Sequence, residues 1–197
     1  PPAMPEHGAR YERAEDVTRA VLALWESWDV NARQPDQAAG RYLVPGSVRR
    51  VDHSGPYVAT MGPLGVPRPP QGRPILAQAG SSEAGRRFAA RYADVVFTVQ
   101  STLEEAQAFY ADIKARAANA GRDPDAVLVF PGIVPIAART SPEARERLAA
   151  LGSRVALENA LTKLSDFLGA DLRRADLEAP LALDPQAHAS NSFRQSR

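Results

Sequence analysis

The sequence predicts an α/β fold with parallel strands, and two observations support this class. Short apolar segments alternate with helical segments through the middle of the chain, in the order β-α-β-α-β-α. Strands that alternate with helices usually run parallel and are joined by right-handed crossovers. The segments are also apolar throughout rather than alternately polar and apolar, which is typical of strands that are covered on both faces.

The first predicted element is an amphipathic helix over residues 8–28. Apolar side chains recur at helical spacing between Tyr11 and Trp28, with polar residues between them. Residues 31–39 are polar and rich in turn-forming residues.

A small β insertion is predicted over residues 41–61. Its three short strands lie at 42–44, 47–51 and 57–61, and Pro45-Gly46 and Ser54-Gly55-Pro56 separate them. Residues 62–74 are rich in proline and are expected to form a stiff connector without regular structure.

The alternating part of the chain follows this connector. Its strands are predicted at 74–79, 94–99 and 127–134, and its helices at 84–92, at 102–120 and from Ser141 onwards. Gly121 and Pro124 are expected to end the second helix, since glycine favours the position after a helix and proline cannot continue one. Ser141 is expected to cap the third helix, with Pro142 at its first position. A further helix is predicted over 155–175.

Composition excludes several classes of protein. The chain has 197 residues, of which 44% are hydrophobic and 24% charged, as in an ordinary soluble domain. A net charge of +1 and the lack of a basic stripe argue against nucleic-acid binding. The absence of cysteine excludes disulfides, iron–sulfur clusters and thiol catalysis. No membrane-spanning segment or secretory signal is evident, so a cytoplasmic location is expected.

One candidate site is the junction between the first of these parallel strands and its helix. Gly80, Ser81 and Ser82 form a turn of small residues before a helix N-terminus. Small residues let an anion approach the backbone, and the free N–H groups, the helix dipole and the hydroxyls together suit a phosphate. The alternative is that Ser81 or Ser82 only caps the helix. The motif is neither a dinucleotide-binding glycine fingerprint nor a Walker loop.

A second candidate site is the pair His7 and Tyr11. The two residues are four apart in the chain and lie on one face of the predicted helix. An imidazole and a phenol hydroxyl could hold an anionic group between them. The alternative is that His7 is a capping or exposed residue and that Tyr11 is a core aromatic.

No other group points to chemistry. His53 lies between predicted strands, where a solvated turn is favoured over a metal site, and His188 lies in a polar segment without metal ligands at suitable spacing. No Ser-His-Asp order, zinc-protease motif or paired carboxylate occurs, so no catalytic residue is assigned and no metal is expected. An anion pocket without an evident acid, base or nucleophile favours an enzyme whose cofactor supplies the chemistry.

Several motifs taken together resemble one family. They are E-H-x-x-R-Y-x-R-A-E-D from Glu6, A-L-W-x-S-W-D from Ala23, V-D-H-S-G from Val51, M-G-P-L-x-V-P-R-P-P-Q-G-R-P from Met61, Q-A-G-S-S-E-A-G-R-x-F-A-A from Gln78 and A-x-A-G-R-D-P-D from Ala118. The combination resembles the nitrilotriacetate monooxygenase component A family of the bacterial luciferase-like superfamily. The resemblance extends over residues 6–176, with weaker similarity at 191–197.

The resemblance implies a TIM-barrel-type (β/α) fold, of which this chain would supply a partial barrel with a small β insertion. It implies an FMN-dependent two-component monooxygenase, in which reduced FMN and O₂ oxygenate a small organic substrate. The reduced FMN would come from a separate NAD(P)H-dependent flavin reductase. The resemblance further implies that His7, Tyr11 and Ser82 contact the FMN phosphate, with Ser81 as the near alternative to Ser82.

Members of that family are considerably longer, so we expect this chain to be a truncated central portion. Residues 1–175 are assigned to the luciferase-like domain, and residues 176–197 are predicted to be a polar tail. Three strands cannot close a barrel, and the open edges and apolar faces predict a homo-oligomer. The alternative function is a non-catalytic remnant, or an oligomerising half-barrel module. A Rossmann-like nucleotide binder is disfavoured because the glycine fingerprint is missing.

Overall fold

A computed structural model of the protein describes residues 5–168, 171–174, 176, 177 and 179. Its first helix, α1 (His7–Trp25), ends three residues before the predicted boundary at Trp28. Trp28 instead forms an isolated antiparallel bridge with Val48, and its indole N–H donates to the carbonyl of Leu64 at 2.8 Å. These contacts hold Trp28 outside the helix, although the spacing of the apolar residues predicted that it would be helical.

The β insertion consists of two antiparallel hairpins. They are formed by β1 (Arg33–Asp36) with β2 (Arg41–Leu43), and by β3 (Asp52–Ser54) with β4 (Ala59–Met61). The polar, turn-rich segment at 31–39 contains β1, which pairs with β2 despite its polar sequence. The predicted strand at 47–51 is wrong, since only Val48 makes a bridge and the strand begins at Asp52.

The connector at 62–74 contains no helix or strand, as predicted. Its start is held against the end of α1, because the backbone N–H of Leu64 donates to Ser27 Oγ at 3.1 Å. Near its end, Arg73 donates two hydrogen bonds to the Asp94 carboxylate, at 2.6 and 2.7 Å. The connector is therefore anchored at both ends and leads directly into the parallel sheet.

The rest of the described chain alternates strands and helices, as predicted. Its elements are β5 (Ala77–Gln78), α2 (Glu83–Tyr92), β6 (Val95–Thr98), α3 (Leu103–Asn119), β7 (Leu128–Pro131), α4 (Ser141–Gly152) and α5 (Leu157–Leu168). The strands form one parallel three-stranded sheet in the order β5-β6-β7. The predicted helix at 155–175 ends at Leu168 among the described residues. The predicted tail at 176–197, with His188, lies almost entirely outside them.

Hydroxyl side chains cap α2, α3 and α4. Thr102 Oγ1 accepts a hydrogen bond from the backbone N–H of Glu105 at 3.2 Å, and so begins α3. The expectation that Ser141 caps α4 is wrong by one residue. Thr140 is the cap and accepts from Glu143 N at 3.4 Å, while Ser141 lies inside the helix. This shift moves Pro142 from the first helical position to the second, where its missing N–H is still tolerated.

The core lies between the sheet and the helices α2 and α3. Val96, Ile113 and Val127 are completely buried there, and Ala89 and Phe109 complete its centre. Each large apolar side chain buried in this way contributes about 1.5–3 kcal/mol to folding. Packing therefore holds α2, and with it the start of that helix, in a fixed position beside β5.

The other face of the sheet departs from the expectation that both faces are covered. Phe97 is 46% exposed and Phe130 is 52% exposed. The loop after β7 is more open, with Val134 at 85% exposure. No described helix combines the length and apolar character that a bilayer span would require.

Candidate functional site

The start of α1 and the start of α2 meet at the end of β5. His7 Nε2 lies 2.9 Å from Ser82 Oγ, although 75 positions separate the two residues in the chain. The rings of His7 and Tyr11 pack edge to face, with 5.0 Å between their centroids. The residue patterns predicted two separate candidate sites, and the family resemblance joined them at one phosphate. They form one cluster of His7, Tyr11 and Ser82, which we call the hydroxyl cluster.

Ser82 both caps a helix and contacts His7. It is completely buried, and its Oγ accepts a hydrogen bond from the backbone N–H of Gly85 at 3.1 Å. The sequence left open whether Ser82 caps the helix or contacts a ligand. Ser82 does cap α2, and this role does not prevent its hydroxyl from also contacting a ligand. The neighbouring Ser81 is half-buried, and its hydroxyl makes no hydrogen bond with another described residue.

Arg10 determines where the proton of His7 lies. A guanidinium N–H of Arg10 points at His7 Nδ1 over 3.1 Å, and guanidinium groups only donate. Nδ1 therefore accepts, and a neutral His7 carries its proton on Nε2 and donates it to Ser82 Oγ. Since Ser82 Oγ already accepts from His7 and from Gly85, the hydroxyl proton of Ser82 remains available for another oxygen.

Two glycines make room for the Tyr11 hydroxyl. A methyl group at Gly85 would lie 2.8 Å from Tyr11 Oη, and one at Gly80 would overlap it. The Tyr11 ring also packs at 6.0 Å from the ring of Phe88, so Tyr11 belongs partly to the apolar packing, as its alternative interpretation proposed. The role of Gly85 was not predicted from the sequence, although the motif from Gln78 contains the spacing Gly80-x-x-x-x-Gly85.

The hydroxyl cluster suits an anion such as a phosphate. It offers hydroxyl donors beside the positive end of the α2 dipole, and the glycines at 80 and 85 leave its floor without side chains. The acidic residue in the first turn, Glu83, is held by the Arg116 guanidinium at 2.7 and 2.9 Å. The hydrogen bonds from Arg116 lower the pKa of Glu83 against the effect of its burial, so this carboxylate remains charged and paired.

His53 is part of a second polar cluster, and its predicted place in a solvated turn is wrong. It lies in β3 and is half-buried, with Nε2 2.8 Å from the fully buried Asp16 Oδ1. Asp16 also accepts from the backbone N–H groups of Tyr57 and Val58, at 2.8 and 2.9 Å. Burial raises the pKa of Asp16, but these hydrogen bonds and His53 lower it below its usual value.

This second cluster joins α1 to the β3–β4 hairpin. A methyl group at Gly55 would overlap the Asp16 carboxylate, which explains the glycine in this turn. Among the described residues, no group of three or more His, Asp or Glu side chains is placed to hold a metal ion. The V-D-H-S-G motif was the sequence feature that marked this second cluster. Its histidine, His53, faces α1 rather than solvent.

Comparison with known proteins finds matches to one family of monooxygenases. The family model described as "Luciferase-like monooxygenase" matches residues 3–196. Nitrilotriacetate monooxygenase component A from Aminobacter aminovorans is 43% identical over 192 residues, which cover 96% of this chain and 42% of that protein. Dibenzothiophene-sulfone monooxygenase from Rhodococcus erythropolis is 44% identical over 176 residues, covering 89% of this chain and 39% of the relative.

Solved structures agree with these relatives. The crystal structure of long-chain alkane monooxygenase matches with a TM-score of 0.78 and 35% identity, over 92% of this chain and 42% of that chain. A riboflavin lyase crystallised with modified FMN and riboflavin matches with a TM-score of 0.78 and 33% identity, over 90% and 40% of the two chains. These matches confirm the TIM-barrel-type luciferase-like fold. The chain spans about two fifths of the length of the relatives it matches.

Proposed function

The chain belongs to the luciferase-like monooxygenase family, and from this premise we propose that it is the oxygenating component of a two-component flavin-dependent system. The cofactor would be reduced FMN, held by its phosphate in the hydroxyl cluster. The observation that carries this proposal is the contact between His7 and Ser82, because it brings an imidazole, a serine hydroxyl and a helix N-terminus to one point.

Each member of the cluster has a distinct role in this proposal. Ser82 donates its remaining proton to a phosphate oxygen, and His7 keeps the serine oxygen in place by donating to it. Tyr11 donates from its place beside Gly80 and Gly85, while the first turn of α2 adds backbone N–H groups. Ser81 remains the near alternative to Ser82. The cluster lies after the carboxyl end of β5, which is the end of the strands where TIM-barrel enzymes bind their ligands.

The bound flavin would supply the reaction with O₂, and the chain's own residues would bind and orient it. The relatives' names point to small organic substrates, such as nitrilotriacetate and dibenzothiophene sulfone. One relative is named as a component of its enzyme, and two others as separate polypeptides of pristinamycin IIA synthase, which supports a separate partner component. We propose that this partner is an NAD(P)H-dependent flavin reductase. We further propose that residues 1–175 form the flavin-binding domain and residues 176–197 a polar tail.

A second candidate function is a non-catalytic module that oligomerises through its sheet. The exposed side chains of Phe97 and Phe130 favour it, because such apolar faces are usually covered by another protein surface. Flavin binding separates the two candidates, since the module has no need of a phosphate site.

The test compares FMN with riboflavin, which carries the same ring without the phosphate. Flavin fluorescence during titration with the 197-residue chain gives both affinities. We expect FMN to bind about tenfold or more tightly than riboflavin, since each charge-assisted hydrogen bond lost costs about 1.5–3 kcal/mol. His7→Ala should remove most of this preference, while Arg139→Ala, at an exposed position before α4, should leave it unchanged. Equal affinities of the unmodified chain for the two flavins would contradict the proposal.

A further inference from the structure

We propose that Gln78 is a positioning residue that directs the hydroxyl proton of Tyr11 toward the ligand. This inference rests on the proposed phosphate site, because it concerns how that site presents its donors. Neither the motifs nor the helix N-terminus required a role for this amide. We assign a role to this amide because its oxygen and its nitrogen each make a hydrogen bond.

The orientation of the Gln78 amide is determined by the backbone. The N–H of Gly80 donates to Gln78 Oε1 at 2.8 Å. A backbone N–H cannot accept, so the amide end that faces it must be the oxygen. The amide nitrogen therefore faces the other way, toward Tyr11, and Nε2 lies 3.3 Å from Tyr11 Oη.

This orientation determines the role of the Tyr11 hydroxyl. The Gln78 NH₂ group can only donate, so Tyr11 Oη is the acceptor in their contact. The phenol proton must then point away from Gln78. A hydroxyl that already accepts one hydrogen bond is also a better donor, since chained hydrogen bonds polarise one another. A phenol hydroxyl can both donate and accept hydrogen bonds. The contact with Gln78 therefore makes the Tyr11 hydroxyl a hydrogen-bond donor toward the site.

The three groups are fitted closely around the missing side chain of Gly80. A methyl group at Gly80 would lie 2.6 Å from Gln78 Nε2 and would overlap Tyr11 Oη. Because Gly80 has no side chain, the amide and the phenol can approach each other directly above the turn. Gly80 therefore has two functions here: it orients the amide through its N–H, and it leaves space for the contact that this orientation produces.

Ser82 is prepared in the same way by other residues. Its oxygen accepts from His7 and from Gly85, so its proton also remains for the ligand. Both hydroxyls thus have acceptor positions filled by protein donors. A site that presents only donors favours an oxygen anion without protons, and disfavours a hydroxyl group that must itself donate. The FMN phosphate fulfils this requirement, whereas the terminal hydroxyl of riboflavin does not.

A double-mutant cycle tests the inference with binding rather than activity. The variants are Gln78→Met, Tyr11→Phe and the double variant, and the readout is the ratio of FMN to riboflavin affinity. We expect Tyr11→Phe to lower this ratio about tenfold or more, and Gln78→Met to lower it by a smaller factor. In the Tyr11→Phe background, Gln78→Met should have no further effect on the ratio, because no phenol proton remains to be directed.

A second substitution keeps the test informative if Gln78→Met unfolds the chain. Gln78→Glu retains an acceptor for Gly80 N–H but places a second acceptor beside Tyr11, which would capture its proton. We expect Gln78→Glu to lower the FMN preference more in the chain with Tyr11 than in the Tyr11→Phe background. The thermal midpoint of each variant shows whether it is folded.

The outcomes separate this inference from the proposed function. If the unmodified chain prefers FMN, and Gln78 variants lower the preference equally with and without the Tyr11 hydroxyl, Gln78 acts independently and the inference is wrong. If Tyr11→Phe lowers the preference and Gln78 variants do not, the inference is wrong while the phosphate site stands. If the unmodified chain does not prefer FMN, both are overturned together. Loss of the Gln78 effect only in the Tyr11→Phe background is the expected result.

Discussion

His7 Nε2 and Ser82 Oγ lie 2.9 Å apart, and this contact joins the first turn of α1 to the first turn of α2. It links two motifs that are 75 residues apart in the chain. Because Ser82 is also the cap of α2, the contact ties a candidate ligand site to the stability of a helix. Substitutions here are expected to affect both ligand binding and the stability of α2.

Ser82→Ala should weaken FMN binding about ten- to a hundredfold, because it removes a hydroxyl that we propose donates to a charged oxygen. Riboflavin binding should change much less. The variant should also lose about 1 kcal/mol of stability, since the cap of α2 is lost. Flavin titration and urea denaturation measure the two effects.

Ser81→Ala is the paired variant, because Ser81 was the alternative phosphate ligand. It caps nothing and should change FMN affinity little. Ser153→Ala, which removes a hydroxyl bonded to Ala150 O at the exposed end of α4, controls for the loss of a helix-terminal serine. A strong loss of FMN binding in Ser81→Ala and none in Ser82→Ala would transfer the proposed role to Ser81.

Gly80→Ala should destabilise the protein by about 1–3 kcal/mol, because the added methyl group overlaps Tyr11 Oη and forces the ring to move. The preference for FMN over riboflavin should fall with it. Gly152→Ala is the matched control: it lies in α4 with no atom within 4 Å of the added carbon, and should stabilise by about 0.5–1 kcal/mol. Urea unfolding of both variants measures this. Unchanged stability in Gly80→Ala would show that the turn and Tyr11 do not lie as described.

Asp94→Asn should destabilise the chain by about 1.5–3 kcal/mol near neutral pH, because Asp94 accepts two hydrogen bonds from Arg73 and one from Leu76 N. The bonds from Arg73 lower the pKa of Asp94 below 3.8, against the effect of burial. A lowered carboxylate pKa stabilises the fold above the unfolded value, and this contribution disappears as the pH falls through the folded value.

The difference in unfolding free energy between the parent and Asp94→Asn should therefore be largest at about pH 6 and shrink below about pH 3. Urea denaturation at both pH values measures it. Asp36→Asn, which removes an exposed ion pair with Arg41 in the β1–β2 hairpin, should change stability little. A difference for Asp94→Asn that grows as the pH falls would mean that the carboxylate does not stabilise the fold.

The chain should self-associate at micromolar concentration, because Phe97 and Phe130 would otherwise face water across an open sheet. Sedimentation velocity should show dimers or larger species. Phe130→Lys should shift the distribution toward monomer, whereas Tyr110→Lys, an exposed aromatic on α3, should not. A stable monomer of the unmodified chain would contradict this prediction.

The 197-residue chain should not oxygenate a substrate when supplied with a flavin reductase, NADH and O₂. The hydroxyl cluster accounts for one end of the cofactor, and the sheet face beside it is open to water. Excluding water protects reactive intermediates, so we expect hydrogen peroxide in place of oxygenated product. Sulfone and aminopolycarboxylate substrates would be assayed. Formation of product coupled to reduced flavin would show that these residues suffice for catalysis.

The parallel sheet was predictable because each of its strands lies in a short apolar run that is followed by a helix, and α2 begins at a recognisable cap, Ser82. The β insertion was less predictable, because β1 and β3 are polar and are determined by pairing. Asp52 to Ser54 extend because they pair with β4, and Trp28 leaves the helix because its indole reaches Leu64. The local sequence does not indicate which distant residues a strand or side chain will contact.

The members of the hydroxyl cluster were predictable as residue types, but only the family resemblance, and not the local sequence, implied that they meet. Nothing within ten residues of His7 indicates that its partner is Ser82, since the contact depends on how α1 packs against α2. The roles of Arg10 and Gln78 were missed for the same reason, because they follow from which atom faces which.

A crystal structure of the chain with FMN tests the central claim most directly. We predict the phosphate at the start of α2, with Ser82 Oγ and Tyr11 Oη at hydrogen-bond distances of about 2.6–3.0 Å from its oxygens. Gln78 Nε2 should still face Tyr11 in that complex, as it does without the ligand. FMN bound with its phosphate away from His7, Tyr11 and Ser82 would contradict the account.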